Sequence, residues 1–344
     1  MARADQTLGV AVIGSGARGA AHSRAWAALG DDVRVVAVAD VDTARAAALA
    51  QEFEGVTVAA DYRAAIDRPD VAVVSVCTPA AFHAEAVLFA AAHGKHIVCE
   101  KPLALSLEAG REMIAATRAA GVQFTVNFQR RYAPINRELG RLIRDGAIGR
   151  PVLFREMGAA GIRPKRAMHD MVAGNAGPVV DTLCHSFDLW RDLTGGAPTQ
   201  VIARGRTFAR GRPEMAEIEA RGALAPDTVA LIVEFDSGDL AVASISWGLP
   251  PDISREGSRM SDILGPAGII YPTLAELVVV GEGGASRTIG PYTTDLQGDL
   301  ARDFVAAVRE QRPPLVAAED GLVALAVSLA ALDALSTGSA VAVT

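Results

Sequence analysis

The order of hydrophobic and polar positions divides the chain into two parts. In the first part, short runs of consecutive apolar residues alternate with segments of helical periodicity. Consecutive apolar residues are typical of strands that are covered on both faces, and strands that alternate with helices predict a doubly wound parallel sheet. The predicted strands are residues 8–13, 33–39, 56–58, 71–76, 97–99 and 122–128, with a helix over 106–120.

Beyond residue 126 the apolar residues follow a different pattern. Strands are predicted over 152–158, 201–208, 229–235 and 240–247, and helices over 134–145, 177–190, 299–309 and 319–335. The last two strands flank Asp236-Ser237-Gly238-Asp239, which is a hairpin turn signal, and hairpins join antiparallel strands. The charged stretch 209–227, which contains glycine and proline, is predicted to be an exposed loop.

These patterns predict an α/β protein of two domains. Residues 1–126 are predicted to form a Rossmann domain with a doubly wound parallel sheet, and residues 127–344 an α+β domain with a largely antiparallel, open sheet. One face of such a sheet needs cover, and a second copy of the chain is an economical way to supply it. We therefore expect a homodimer or homotetramer that assembles through the C-terminal sheet.

Composition narrows the possible partners. The chain has 344 residues, 50% hydrophobic and 21% charged, as in an ordinary soluble protein. Its net charge of −7 gives no support for a nucleic-acid or anionic-membrane partner. No apolar run reaches the roughly 18 residues that span a bilayer, and residues 1–7 do not resemble a signal peptide, so we expect a cytoplasmic protein. Three scattered cysteines (Cys77, Cys99 and Cys184) argue against a zinc site or a disulfide framework.

A glycine-rich turn directly follows the first predicted strand. Gly14, Gly16 and Gly19, with Ala17 and Arg18 before the last, form the pattern GxGxxG between a strand and a helix. In dinucleotide-binding folds the first glycine permits a tight turn, the second lets the backbone approach a pyrophosphate, and the third packs the helix on the strand. Backbone N–H groups at the helix start then bind the phosphate oxygens. We therefore predict a dinucleotide cofactor.

Asp40, at the end of the second predicted strand, indicates which dinucleotide this is. A carboxylate there accepts hydrogen bonds from the adenosine ribose hydroxyls and repels a 2′-phosphate, which favours NAD over NADP. The alternative is that Asp40, with Asp42 and Thr43, only caps the following helix. Arg45 on that helix leaves NADP binding open.

The fourth and fifth predicted strands end in polar turns. Cys77-Thr78-Pro79 follows the fourth, with His83 on the next helix, and Glu100-Lys101-Pro102 follows the fifth. Ligands collect at the carboxyl ends of parallel strands, so Lys101 can meet a ligand there, and the nicotinamide half of a dinucleotide would lie at the Thr-Pro turn. Proline fixes the backbone beside Lys101, and an X-Pro bond is cis about one time in twenty. The alternative is an exposed lysine and a turn that binds nothing.

One predicted helix of the C-terminal part carries three polar residues that could perform chemistry. Asp181, His185 and Asp188 are spaced i, i+4 and i+7, which places them on one face of an α-helix. A neighbouring carboxylate orients an imidazole and favours its protonated form, and such a histidine can accept a hydroxyl proton near neutral pH. The alternatives are an ion pair on the helix surface and a metal site built from Asp and His.

Together these motifs resemble the Gfo/Idh/MocA family, the glucose–fructose oxidoreductase and inositol dehydrogenase group. The resemblance covers nearly the whole chain. It rests on Gly14-x-Gly16-x-x-Gly19 with His22, Asp40, Thr78-Pro79 with His83, Gly94-Lys95-His96 before Glu100-Lys101-Pro102, Arg130-Arg131-Tyr132 with Pro134, and Asp181-x-x-x-His185-x-x-Asp188. One departure is Ala176-Gly177-Pro178, where the family often has paired glycines.

The resemblance implies a dehydrogenase or reductase for a sugar, a sugar derivative or a cyclitol, with NAD (NADP possible) as cofactor and no metal. Lys101 would bind the reacting hydroxyl, His185 would take its proton, and Asp181 would hold His185 or the substrate. Gln129, beyond the sixth strand, would line the substrate pocket between the domains. The implied cofactor-binding residues are Gly14, Gly16, Ala17, Arg18, Gly19, Asp40, Cys77, Thr78, Pro79, His83, Glu100, Lys101 and Gln129.

The polar loop 163–174 is a further candidate, in this case for substrate selectivity. It holds Lys165, Arg166 and His169. A solvated basic loop without a role in binding is an equal alternative.

Two other functions stay open. The first is a glycoside hydrolase or lyase that retains NAD and uses transient oxidation, because the same Lys, Asp and His would serve that reaction. The second is a non-catalytic cofactor-sensing protein, against which the presence of Lys101, Asp181 and His185 together argues.

Overall fold

The apolar runs of the first third of the chain form one parallel sheet. The computed structural model describes residues 7–162, 166–172, 174–253 and 259–344. The strands of this sheet are β1 (Leu8–Ile13), β2 (Val33–Ala39), β3 (Thr57–Ala59), β4 (Val73–Val76), β5 (His96–Cys99) and β6 (Phe124–Val126). They pair in parallel in the order β3-β2-β1-β4-β5-β6, which confirms the predicted Rossmann arrangement.

Helices connect these strands. They are α1 (Ala17–Ala27), α2 (Thr43–Ala50), α3 (Tyr62–Ile66), α4 (His83–Ala92) and α5 (Leu107–Ala119). Side-chain oxygens of Asp42, Asp61 and Ser106 accept hydrogen bonds from first-turn amides and so begin α2, α3 and α5. Asp42 therefore caps α2. Capping of this helix was the alternative role that the sequence analysis considered for Asp40.

The strand order reverses between β1 and β4, and this reversal decides where a ligand can bind. In an open sheet of this kind a dinucleotide lies outside the carboxyl ends of the strands at the point of reversal. The residues that directly follow β1, β2, β4, β5 and β6 at this edge are Gly14, Asp40, Cys77, Glu100 and Asn127.

The rest of the chain builds a second sheet. Its strands are β7 (Leu153–Gly161), β8 (Pro198–Arg206), β9 (Thr228–Phe235), β10 (Leu240–Leu249), β11 (Arg259–Gly265), β12 (Gly268–Pro272), β13 (Leu277–Gly281), β14 (Ser286–Ile289) and β15 (Val341–Ala342). Their order is β14-β13-β12-β11-β7-β10-β9-β8-β15. Each neighbouring pair is antiparallel except β7 and β10, which confirms the largely antiparallel sheet.

Six further helices complete the described chain. They are α6 (Pro134–Arg144), α7 (Gly177–Asp181), α8 (Cys184–Thr194), α9 (Ala216–Ala220), α10 (Leu296–Glu310) and α11 (Ala318–Thr337). The chain divides into two compact units. One comprises the chain up to Tyr132 with Asp295–Leu322, and the other Ala133–Thr294 with Val323–Thr344. The domain boundary placed at residues 126 and 127 from the sequence stays a prediction.

Two features of the second unit differ from the sequence analysis. The stretch 209–227 is not simply an exposed loop, because it contains α9 and a small core of Ile162, Ala209, Met215, Ile218 and Ala223. The fully buried carboxylate of Asp227 anchors this stretch by accepting the Phe208 and Ala209 amides at 2.9 and 2.8 Å. Strands β11 to β14 were also missed, since their apolar runs are short and separated by glycines.

Helix α11 is long and apolar enough to cross a membrane by length and composition alone. Half of its most apolar window is buried in the structure, and a core helix of a soluble protein passes the same test. A single helix of this kind is only weak evidence of a membrane span.

Candidate active site

The glycine turn after β1 has the geometry that a bound pyrophosphate requires. Gly14 has a φ of +93°, and a Cβ there would lie 2.7 Å from the Cys77 carbonyl oxygen. A Cβ on Gly19 would lie 1.8 Å from the Gly14 carbonyl oxygen, so this residue permits the close contact of α1 with the turn. At Gly16, by contrast, a Cβ would meet nothing within 4 Å. The open side of Gly16 is where the backbone can be approached by a ligand.

The start of α1 is suited to an anion. Gly16 is the N-cap residue, it supplies no side-chain hydrogen bond, and no acidic residue occupies the first turn. The first amides of a helix have no partners within the helix and carry partial positive charge. The turn therefore fits the pyrophosphate of a dinucleotide, with Gly14, Gly16, Ala17, Arg18 and Gly19 as the residues that would hold it.

Asp40 follows β2 and is engaged on both carboxylate oxygens. Oδ2 accepts hydrogen bonds from the Ser15 amide at 2.7 Å and the Ser15 hydroxyl at 2.8 Å, and Oδ1 accepts the Asp42 amide at 2.9 Å. The Arg45 guanidinium donates to both oxygens, at 2.7 and 3.2 Å. Burial alone would raise the pKa of Asp40, but these hydrogen bonds outweigh it and hold the pKa well below its usual range. Asp40 is therefore a carboxylate at neutral pH.

Glu100 follows β5 and is the buried charge of this edge. Its Oε1 atom accepts hydrogen bonds from Arg18 Nε at 2.6 Å and Asn127 Nδ2 at 2.7 Å, and lies 3.2 Å from His22 Nε2. Its Oε2 atom accepts the Lys101 amide at 3.2 Å. Burial would raise the pKa of Glu100, but the contact with His22 and the charges of Arg18 and Lys101 keep it well below its usual range. The side chain of Glu100 is thus bound inside the protein.

His83 joins the turns that follow β4 and β5. Its two ring nitrogens each lie 2.9 Å from a main-chain carbonyl oxygen, one of Thr78 and one of Pro102. The Lys101–Pro102 bond that precedes the second carbonyl is cis. Burial lowers the pKa of His83 against the opposing effect of these carbonyls. The observed contacts of His83 position the two turns, and a direct contact with the cofactor stays a prediction.

Cys77 is present at the same edge as a neutral thiol. Burial, and secondly the negative charge of Glu100, raise the pKa of Cys77 well above its usual value. Only a thiolate is a strong nucleophile, so we expect no nucleophilic chemistry from this residue.

Three buried side-chain oxygens at the carboxyl ends of β4 and β6 have no hydrogen-bond partner among the residues that the structure describes. They are Thr78 Oγ1, Asn127 Oδ1 and Gln129 Oε1. A buried acceptor without a donor is costly, so each such atom calls for an explanation. They fit a ligand with N–H groups, which the carboxamide of a nicotinamide provides. Thr78 and Gln129 were predicted from the sequence, whereas Asn127 was missed, although a polar residue directly after an apolar strand is a usable signal.

The sequence predicted a single helix over 177–190 with Asp181 and His185 on one face. This prediction was wrong, because the two residues do not lie on one continuous helix. Helix α7 ends at Asp181 and α8 begins at Cys184. Between them the Leu183 amide bonds back five residues to the Pro178 carbonyl, and the His185 amide only three, to Thr182. The regular four-residue ladder is interrupted there, so helical spacing no longer fixes how Asp181 and His185 face each other. His185 and Asp188 do share α8 at a spacing of i, i+3.

Asn175 is a second residue that the sequence analysis missed. Its Nδ2 atom donates a hydrogen bond of 2.7 Å to Asp181 Oδ1. Next to Asn175 lie Ala176 and Gly177, where the family often has paired glycines. Their φ values are +51° and +72°. Both residues thus keep the left-handed backbone that glycine favours, and for Ala176 this costs roughly 1–2 kcal/mol. The turn places Asn175 against Asp181.

The loop predicted for substrate selectivity is described only in part. Lys165 and residues 163, 164 and 173 lie outside the described residues, and Arg166 begins a short 3-10 helix that ends at His169. His169 is fully buried, with its ring edge-to-face against Trp247 at 5.8 Å between centroids. His169 is therefore part of a packed interior and not of a solvated basic loop. In the part of the chain that the structure describes, no group of three or more His, Cys, Asp or Glu side chains could hold a metal.

The fold and the glycine turn together define a Rossmann domain of the kind that binds a dinucleotide. Residues 8–128 match the family described as "Oxidoreductase family, NAD-binding Rossmann fold", and residues 136–270 match the "GFO/IDH/MocA C-terminal domain". The chain belongs to the Gfo/Idh/MocA oxidoreductase family, as its motifs predict. NAD is therefore the cofactor of this fold.

Known relatives support this assignment over most of the chain. Inositol 2-dehydrogenase of Arthrobacter sp. (strain FB24) is 31% identical over 241 residues, which are 70% of this chain and 67% of the relative. The uncharacterized oxidoreductase YrbE of Bacillus subtilis (strain 168) is 30% identical over 231 residues, which are 67% of this chain and 64% of the relative, just under two thirds of its length. A solved structure of levoglucosan dehydrogenase with NADH and levoglucosan has a TM-score of 0.85 and 25% identity, covering 98% of this chain and 100% of that one.

We expect Gly16→Ala and Gly19→Ala to affect the protein in different ways. The Cβ of Gly16→Ala projects into open space, so the melting temperature should stay the same while NADH affinity falls roughly 10-fold. The Cβ of Gly19→Ala meets backbone, so this variant should also lose about 4 °C or more in melting temperature. Differential scanning fluorimetry and NADH titration measure both effects. Unchanged NADH affinity of a well-folded Gly16→Ala protein would contradict the assignment of the turn.

Proposed function

We propose that the chain is an NAD-dependent dehydrogenase or reductase that moves a hydride between nicotinamide and a hydroxyl-bearing carbon of a sugar, sugar derivative or cyclitol. The position of Lys101 carries this proposal. Lys101 follows β5, on the opposite side of the β1/β4 reversal from Asp40, which follows β2. If Asp40 binds the adenosine ribose, the turns after β4 and β5 receive the nicotinamide half, and Lys101 is then the cation beside the reacting atoms.

The chemistry needs a proton acceptor and a positive charge. NAD supplies the hydride acceptor when it is bound. An alcohol is a poor hydride donor until its hydroxyl proton is being removed, so His185 takes this proton as general base. Lys101 binds the hydroxyl oxygen and stabilises the negative charge that develops on it. Asp181 holds His185 or the substrate, and Asn175, through its hydrogen bond to Asp181, restrains that carboxylate.

The names of the relatives support the substrate class. The inositol 2-dehydrogenase and levoglucosan dehydrogenase named above act on polyhydroxylated rings, which present several hydroxyls to a site that must select one. Gln129, with an amide oxygen that has no partner among the described residues, is a residue that could contribute to this selection. We propose an inositol, an anhydrosugar or a related ring as the first compounds to test.

A second copy of the chain is the proposed partner, and the cytoplasm the proposed location. One face of the nine-stranded sheet carries exposed apolar side chains, among which Met157 is 60%, Tyr271 42% and Leu240 39% exposed. The strand registers place these three side chains on the same face. Apolar patches of this kind on an open sheet are typical of protein interfaces.

We expect Lys101→Ala and His185→Ala to lose turnover but to keep NAD binding, because neither residue belongs to the pyrophosphate turn. Reduced-nicotinamide absorbance, followed with NAD and a panel of inositols, anhydrosugars and aldoses, measures turnover. The rate should fall by roughly 10²- to 10⁴-fold in each variant, with the Kd for NADH changed by less than about threefold.

Two variants serve as controls for this experiment. His93→Ala removes an exposed histidine that plays no part in the proposal and should keep wild-type turnover. Lys101→Arg keeps the charge but changes its shape, and it should recover only part of the activity. Wild-type turnover of Lys101→Ala or His185→Ala would refute the role given to that residue. Loss of a glycoside without accumulation of NADH would instead favour the NAD-retaining hydrolase or lyase.

Cofactor preference should depend on the pair formed by Asp40 and Arg45. Asp40 already accepts bonds from five donor atoms, so a ribose hydroxyl must replace one of them, and the half-exposed Arg45 is the most movable donor. Asp40→Ala should weaken NADH binding about 10-fold and release Arg45 for the 2′-phosphate of NADPH. Titration of both reduced cofactors tests this prediction. Addition of Arg45→Ala to Asp40→Ala should abolish the gain in NADPH affinity, and an unchanged preference would place discrimination elsewhere.

We expect the wild-type protein to be a dimer or tetramer whose association Met157→Arg weakens. Arg155 on this face is already paired with Asp262, so burial of the face would leave the newly introduced arginine as an unpaired charge. Light scattering coupled to size exclusion gives the mass directly. Phe82→Arg, at an exposed position of the first unit, is the matched control. A monomeric wild-type protein would contradict the proposed interface.

A further inference from the structure

The two ends of the Asn127 side-chain amide have different surroundings in the described part of the chain. Its side chain is fully buried directly after β6. The Nδ2 atom donates to Glu100 Oε1 at 2.7 Å and lies 3.2 Å from Gln297 Oε1 and 3.0 Å from His22 Nε2. The Oδ1 atom, by contrast, has no hydrogen-bond partner among the described residues. The amide nitrogen therefore makes its hydrogen bonds within the protein, and the amide oxygen can accept a hydrogen bond from another molecule.

The orientation of this amide follows from its neighbours. Exchange of the two amide atoms would place Oδ1 2.7 Å from the Glu100 carboxylate, where two acceptors, one of them charged, would repel each other. Arg18 and His22 hold Glu100 in place from the side of α1, so the carboxylate cannot easily move away. The free oxygen is thus a fixed property of this site.

The position of Asn127 in the sheet indicates which ligand group could donate a hydrogen bond to its oxygen. Strand β6 lies next to β5, on the same side of the β1/β4 reversal as Lys101 and Thr78. This is the nicotinamide side if Asp40 marks the adenosine side. Within the nicotinamide ring system only the carboxamide carries N–H groups, and one of these donors matches Asn127 Oδ1, which has no hydrogen-bond partner among the described residues.

We propose that Asn127 Oδ1 accepts a hydrogen bond from the nicotinamide carboxamide of NAD and so fixes the rotation of the ring relative to Lys101. Asn127 is then a cofactor-binding residue, and Glu100 is a positioning residue that acts through it. The inference rests on the NAD-binding part of the proposed function and does not depend on the substrate.

The test compares NAD with 3-acetylpyridine adenine dinucleotide, in which a methyl ketone replaces the carboxamide and removes both N–H donors. Isothermal titration calorimetry gives the Kd of each for the wild-type protein, Asn127→Ala and Gln123→Ala. Gln123 is a matched amide at the opposite, amino end of β6. The wild-type protein and Gln123→Ala should prefer NAD by about 10-fold, the effect of one hydrogen bond lost to a buried acceptor. Asn127→Ala should bind both dinucleotides with affinities that agree within about threefold.

Each other result overturns the inference. Full discrimination retained by Asn127→Ala would place the carboxamide elsewhere. Equal affinity of the wild-type protein for the two dinucleotides would also refute it, and this measurement remains decisive if Asn127→Ala does not fold. If the wild-type protein bound neither dinucleotide, the cofactor assignment would fail together with the inference, which distinguishes this failure from a mere loss of discrimination.

Discussion

The buried carboxylate of Glu100 is the constraint on which the first unit depends. An ionised carboxylate is expensive to bury unless donors surround it, and here the donors come from α1 and from the residue after β6. Arg18 belongs to the glycine turn and Lys101 directly follows Glu100 in the chain. The charge of Glu100 therefore links the pyrophosphate turn to the amine that we propose binds the substrate hydroxyl. Removal of any donor would leave part of this charge uncompensated, so the edge of the sheet is fixed as a unit.

The second unit restrains its polar residues by a different means. There a left-handed turn at Ala176 and Gly177 places Asn175 against Asp181, and an interrupted helix then leads to His185. In both units the Nδ2 atom of an amide side chain donates a hydrogen bond to a carboxyl group, Asn127 to Glu100 in the first and Asn175 to Asp181 in the second. Neither amide performs chemistry in our proposal, and each hydrogen bond restrains the two side chains that it joins.

The sequence predicted the periodic and local features best. The apolar runs gave all six strands of the parallel sheet, and the GxGxxG spacing marked the turn, because both depend on neighbouring residues only. Predictions from the sequence failed where residues distant in the chain decide the local structure. The helical spacing of Asp181 and His185 could not reveal the break at Thr182, and the residues next to Asn127 in the sequence could not show that Glu100 occupies its Nδ2. The small core that folds the stretch 209–227 likewise needs Ile162, which is remote in sequence.

The most direct measurement of the central claim is isotope transfer to the cofactor. The protein is incubated with NAD and perdeuterated inositol or levoglucosan, and the nicotinamide is analysed by mass spectrometry and NMR. Our account predicts NADH that carries one deuterium at C4, formed in equal amount to the oxidised ring. Cofactor that binds but remains oxidised and unlabelled, while the ring compound is cleaved, would contradict hydride transfer as the net reaction.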